Sequence, residues 1–171
     1  MISKYYDIKK IWNKINYYLF YGENEGLKQE IIFSDFNTFT KENTYKFTEK
    51  EIIENKQNFF ENIFSKSFFE EEKLIIISNV SDKIINITEE IIESSLKDVT
   101  IILIAKILEK RSKLRNFFEK EKNTICIAFY ADNAQTLSSI ASQFFNNKKI
   151  SISQQTINLL VERCKGNREN L

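Results

Sequence analysis

Short apolar runs alternate along this chain with longer stretches in which apolar residues recur at helical spacing. Tyr17 to Tyr21 (YYLFY) predicts a strand that stops at Gly22. Gly26 to Phe39 then predicts a helix, with Leu27, Ile31, Ile32 and Phe36 on one face. Thr44 to Thr48 reads as a short, polar strand. Glu49 to Phe64 reads as one helix that gathers Ile52, Ile53, Phe59, Phe60, Ile63 and Phe64. Lys73 to Val80 (KLIIISNV) is the next strand, and Asp82 to Leu96 a helix with Asp82 at its N-cap. Val99 to Ala105 (VTIILIA) and Thr124 to Tyr130 (TICIAFY) are strands on either side of a charged helix from Ser112 to Lys122. Two more helices follow, Ala134 to Phe145 and Ser153 to Lys165, the second with Gly166 at C′.

This order implies an architecture. Strands separated by helices need crossover connections, which favours a parallel sheet. The runs LIII and VTIILIA are apolar at nearly every position, as strands are when both faces are covered. The expected fold is therefore α/β, a parallel sheet flanked by helices. Strand signals end after Tyr130, so the remainder is expected to be helical: residues 1–135 form the α/β unit and 136–171 part of a small helical unit.

Composition narrows the chemistry. The chain of 171 residues is 42% hydrophobic and 29% charged, a globular balance. Its wealth of Lys, Asn, Ile, Phe and Tyr, with no Pro, reads as AT-rich codon bias rather than chemistry. Twenty-five basic against 24 acidic residues leave a net charge of +1, so no whole-domain basic field draws nucleic acid. The absence of His removes His-based triads and the commonest metal ligand. Cys126 and Cys164 are expected to be buried free thiols. The apolar runs fall far short of the ~20 residues of a membrane helix, and Met1 to Lys10 is not signal-like, so a cytoplasmic protein without membrane contact is expected.

In a parallel α/β sheet the turn after the first main strand is the usual phosphate site. Here it reads Gly22-Glu23-Asn24-Glu25-Gly26-Leu27-Lys28. A working phosphate loop needs G-x-x-x-x-G-K-[ST], whose Lys neutralises phosphate and whose hydroxyl ligates magnesium. This turn has Leu27 after the glycine and Gln29 after Lys28, and Glu23 and Glu25 add negative charge where polyphosphate would lie. The strand that should end in magnesium-binding carboxylates ends Ile77-Ser78-Asn79-Val80. Neither place meets the demands of ATP hydrolysis, and no cofactor is expected.

The stretch Tyr-Leu-Phe-Tyr-Gly-Glu-Asn-Glu (18–25) resembles the opening strand and turn of delta subunits of the bacterial DNA polymerase III clamp loader. Leu108-Glu109-Lys110-Arg111-Ser112-Lys113-Leu114-Arg115 with Phe117-Phe118-Glu119-Lys120, then Phe129-Tyr130-Ala131-Asp132-Asn133, Ile150-Ser151-Ile152-Ser153 and Val161 to Arg168 continue the likeness in family order, nearest to the alphaproteobacterial type. The resemblance implies an AAA+ (P-loop NTPase-like) module with the start of a helical lid. It also implies that the chain is a piece of a longer protein whose helical collar domain follows. Its implied role is non-catalytic: a component of the DNA-directed DNA polymerase (nucleotidyltransferase) holoenzyme that binds and opens the beta sliding clamp. The implied partners are that clamp, the gamma/tau and delta prime subunits, and DNA within the assembled loader. The alternatives are an AAA+ ATPase with an atypical phosphate loop and a DNA-binding module.

In delta subunits a small residue and two large apolar ones project into the clamp, and Ser67, Phe68 and Phe69 match that pattern. Aromatic pairs make good interface anchors, although two Phe residues beside a helix also suit a core. Lys110, Arg111, Lys113 and Arg115, with Lys106, form the densest basic cluster; it suits either DNA phosphate or a solvated helix face. Arg168 resembles the phosphate-reading Arg of AAA+ lids, with a structural role expected where no nucleotide binds. Trp12 and the Tyr5-Tyr6 pair are expected to pack the N-terminal segment on the sheet.

Overall fold

The computed structural model describes residues 2–3, 15–64, 72–96 and 98–171. Strands β1 (Ile2–Ser3), β2 (Tyr17–Gly22), β3 (Thr44–Thr48), β4 (Lys73–Ser78), β5 (Val99–Ile104) and β6 (Thr124–Phe129) form one sheet in the order β1-β6-β2-β5-β4-β3. Every pairing is parallel. Helices α1 (Glu25–Asp35), α2 (Glu49–Glu54), α3 (Lys56–Phe64), α4 (Ile85–Glu93) and α5 (Lys113–Lys120) connect the strands. A hairpin of α6 (Ala134–Asn147) and α7 (Gln154–Cys164) then leads into a 3₁₀ turn, Arg168–Asn170.

Strand alternation explains the unbroken apolar runs. Tyr17, Leu19, Tyr21, Ile75, Ile77, Ile101 and Leu103 point to one face, where they meet Ile52, Phe59, Ile63, Ile87, Ile91, Leu114 and Phe118 from α2 to α5. Tyr18, Phe20, Leu74, Ile76, Ile102, Ile104, Ile125, Ile127 and Phe129 point to the other, against Leu27 and Phe36. A strand buried on both faces has no polar alternation to show. The polar β3 is the edge strand beside β4, which accounts for its weaker signal.

Three helix boundaries differ from expectation, each for a local reason. The helix expected to reach Phe39 ends at Asp35. Phe36 caps it, its N–H still bonded to the Ile32 carbonyl, and its ring turns down edge-on to Tyr18 at 5.2 Å. The helix expected from Glu49 to Phe64 breaks at Asn55, where φ is −139° and ψ 64° and the Asn55 side chain accepts from the Asn58 N–H. Its start is a capping box: Thr48 Oγ1 accepts from Glu51 N and Glu51 accepts from Thr48 N.

Asp82 is the third correction. Ser81, not Asp82, caps the 3₁₀ turn Asp82–Ile84 that precedes α4. The Asp82 carboxylate instead receives Ser112 Oγ at 2.6 Å, Lys113 N at 3.1 Å and Leu114 N at 3.0 Å, and so caps α5 from outside. Burial works to raise the Asp82 pKa, but the bonds from Ser112, Leu114 and Lys113 and the Lys113 charge outweigh it and hold it below the ordinary value. A depressed carboxylate stabilises the fold above its unfolded pKa, and that contribution is lost as pH falls through the folded value. Asp82→Ala is therefore expected to cost about 1 kcal/mol in urea unfolding at neutral pH, with the gap to wild type closing below about pH 4. A gap of equal size in acid would mean that the carboxylate charge contributes nothing.

Candidate phosphate-loop site

The loop after β2 is stitched to the ends of its two neighbour strands. Gly22 N donates to the Lys106 carbonyl at 2.9 Å, and Asn24 N to the Phe129 carbonyl at 3.2 Å. Gly22 has φ +125°, and a Cβ there would lie 2.1 Å from the Phe129 oxygen, so only glycine fits. Buried Asn24 is the N-cap of α1: its Oδ1 accepts from Leu27 N at 3.0 Å. Its Nδ2 donates to the Tyr130 carbonyl at 3.0 Å and to Asp132 Oδ2 at 2.9 Å.

Lys28 runs beneath this loop and is fully buried, at 0% exposure. Its ammonium donates to the Gly22 carbonyl at 3.0 Å, the Ala105 carbonyl at 3.0 Å and Glu25 Oε1 at 2.6 Å. An ammonium has three N–H groups, and all are used. The cation that could have met a phosphate is thus neutralised from within by Glu25, one residue before Gly26 and in the first turn of α1. Glu23 stays exposed at the mouth of the loop. Gly26 faces the 3₁₀ turn at the far end of the chain: a Cβ there would lie 2.9 Å from Glu169 Cγ and 3.3 Å from Arg168 Cγ.

Arg168 is spent as well. Its Nε and Nη2 grip Asp132 Oδ2 and Oδ1 at 2.8 and 2.9 Å, and its Nη1 reaches Glu30 Oε2 at 2.5 Å. Burial works to raise the Asp132 pKa, but the Arg168 fork and the Asn24 amide outweigh it and hold the carboxyl below its ordinary value. The bond to Asp132 in turn raises the Arg168 pKa against the effect of burial. The sequence singled out Arg168 and Lys28 but no partner for either. Asp132 appeared only inside a matched stretch, and Glu30 carried no signal.

At the end of β4, Ser78 Oγ donates to the Phe47 carbonyl at 3.2 Å and Asn79 adopts a left-handed φ of 57°. The nearest following carboxylate, Asp82, is engaged by α5. Of the basic cluster, Lys110, Arg111 and Lys113 are exposed, with Arg111 on Glu109 at 2.6 Å. Arg115 is turned inward: it bonds Glu119 at 2.7 Å and lies over the Tyr21 ring at 4.9 Å. Cys126 and Cys164 are free and buried, and burial pushes the Cys126 thiol up to about 12. Ser67, Phe68 and Phe69 lie outside the described residues, as do Trp12, Tyr5 and Tyr6. No helix among the described residues is long and apolar enough to cross a membrane.

No protein-family model matches this sequence, and no curated protein does. Solved structures do share its shape. Bacillus subtilis DNA clamp loader delta protein superposes with a TM-score of 0.63 at 18% identity, over 97% of this chain and 53% of that one. Thermotoga maritima RuvB, a Holliday junction branch migration motor, gives 0.61 at 12% identity, over 96% and 54%. The replication initiator DnaA bound to AMPPCP and single-stranded DNA gives 0.61 at 16% identity, over 97% and 56%. The chain spans about half the length of each. Its fold is the AAA+ (P-loop NTPase-like) one, a parallel sheet flanked by helices.

Proposed function

We propose that this chain is a non-catalytic clamp-loader subunit of the delta type, which binds a sliding clamp and favours its open form without hydrolysing ATP. The observation that carries the non-catalytic half is Lys28, whose ammonium is buried and shared among Gly22, Glu25 and Ala105. A phosphate would have to displace a 2.6 Å ion pair and approach past Glu23. The likeness of the fold to a clamp loader delta protein and the collinear stretches from Tyr18 to Arg168 support the clamp half. In this reading Phe68 and Phe69 seat in an apolar pocket of the clamp. Binding there offsets the cost of opening the ring, because a partner shifts an equilibrium only by its preference for one state. ATP turnover belongs to neighbouring subunits.

The test is binding of the protein to the sliding clamp of the same organism, with and without Mg-ATP. Phe68→Ala/Phe69→Ala is expected to remain folded and to lose about 2 kcal/mol or more of binding. Affinity is expected to be the same with and without nucleotide. Absence of clamp binding by the folded wild type overturns the reading, and ATP-dependent affinity returns the chain to the ATPase class. Normal binding by the variant moves the contact away from Phe68 and Phe69.

A further inference from the structure

The helical hairpin and the phosphate loop meet at one polar node. Asp132 stands in the connection between β6 and α6, Arg168 in the 3₁₀ turn after α7, Asn24 at the N-cap of α1, and Glu30 within α1. One carboxylate, Asp132, takes both arms of the Arg168 fork and the Asn24 amide. The Asp132 and Arg168 side chains are 6% and 14% exposed, so their attraction is screened far less than that of a surface pair. Among the described residues, buried apolar packing does not duplicate this tie. The buried cluster of the hairpin (Leu137, Ala141, Ile157, Val161 and Cys164) is separate from both clusters on the sheet.

We propose that Asp132, Arg168 and Asn24 form a nucleotide-independent latch that holds the α6–α7 hairpin on the phosphate loop with no ligand between them. A ligand can reset a hinge only if it binds one arrangement better than the other. Here the guanidinium that would favour a closed arrangement around phosphate is already satisfied by two carboxylates, Asp132 and Glu30. Gly26 lets the 3₁₀ turn seat directly on the loop, in contact with Glu169 and Arg168. The angle between hairpin and sheet is therefore a constant of this chain. The hairpin acts as a rigid extension of the α/β unit and not as a sensor. Clamp binding has no part in this inference, so either proposal can fail alone.

Hydrogen exchange on the whole chain tests it. In ligand-free wild type, the hydrogen-bonded amides of segments 24–30 and 166–171, among them Asn24, Leu27, Lys28, Asn167 and Asn170, are expected to be protected relative to unstructured peptide. Arg168→Ala is expected to raise exchange in both segments by about tenfold or more, while β2, β4, β5 and β6 keep their protection. Asp132→Asn should do the same, and the two should be non-additive when combined. Glu30→Gln, at an exposed carboxylate, should change exchange far less. If Arg168→Ala loses the fold, Arg168→Lys serves, since it keeps the charge but not the fork. Unprotected segments in ligand-free wild type overturn the latch. So does new protection on adding Mg-ATP, or a folded Arg168 variant with unchanged exchange.

Discussion

Lys28→Met is expected to destabilise the protein by about 3 kcal/mol in urea unfolding, which lowers the melting temperature by roughly 6–12 °C for a chain of this size. Methionine replaces most of the aliphatic volume, so the change removes the ammonium without opening a large cavity. The loss lies in what the ammonium leaves behind. The Ala105 carbonyl belongs to a residue 1% exposed, and the Gly22 carbonyl sits at the loop's tightest point. A buried carbonyl stripped of its donor costs about 1–3 kcal/mol. Glu25 contributes less, because its side chain is 40% exposed and can turn to water. Glu25→Gln should therefore cost under about 1 kcal/mol and serves as the control. A neutral or stabilising Lys28→Met would mean that the cost of burying the ammonium equals or exceeds what its three bonds return, a balance known for buried ion pairs.

The same residues show where sequence reading succeeds and where it stops. Five of the six strands described were legible, four of them because burial on two faces leaves runs such as VTIILIA, and their ends fell within a residue or two of those observed. The two-residue edge strand β1 has no such run and was missed. The polar edge strand came out at Thr44–Thr48 because β-branched and aromatic residues mark it even where burial is only partial. Helix boundaries failed where a side chain chose a partner, distant or local, that periodicity does not register. Asp82 looks like an N-cap for its own helix, but its acceptor oxygens are taken by α5, some thirty residues on. Asn55 breaks one amphipathic pattern into two helices by bonding to Asn58, a local choice that periodicity does not register.

The loop itself was legible as a departure from the G-x-x-x-x-G-K-[ST] pattern, whereas its replacement chemistry was not. Lys28 is one place out of register with Gly26 but holds the pattern's lysine position when counted from Gly22, with Leu27 in place of the second glycine. Its function in the fold appears only when Ala105, 77 positions away, is brought over it. Arg168 finds Asp132 across 36 positions and Glu30 across 138. None of these pairings has a spacing rule, because they are set by the order of strands in the sheet rather than by any local repeat. A site that keeps its glycines while its cations turn inward therefore looks merely degenerate in sequence. In three dimensions it is an internally satisfied site.

Gly22→Ala is the second large effect, and comparison with Gly166→Ala separates its two causes. Both glycines have positive φ, +125° at Gly22 and +80° at Gly166, so both variants carry a backbone penalty of about 1–3 kcal/mol. At Gly166 the new methyl has room, since the nearest atom is the Asp132 carbonyl oxygen at 3.5 Å. At Gly22 it would lie 2.1 Å from the Phe129 oxygen and 2.8 Å from its carbonyl carbon, which are backbone atoms of a buried strand. They cannot give without breaking the Asn24 N–H bond to that same oxygen and shifting β2 against β6. Overpacking of this kind adds about 1–3 kcal/mol. Gly22→Ala is expected to cost more than Gly166→Ala by that amount, and to raise hydrogen exchange at Asn24 and along the β2–β6 seam. Equal losses in the two variants would show that φ alone demands glycine at position 22. The close seating of the loop on β6, on which the Asn24 and Asp132 contacts depend, would then be looser than the 2.1 Å approach implies.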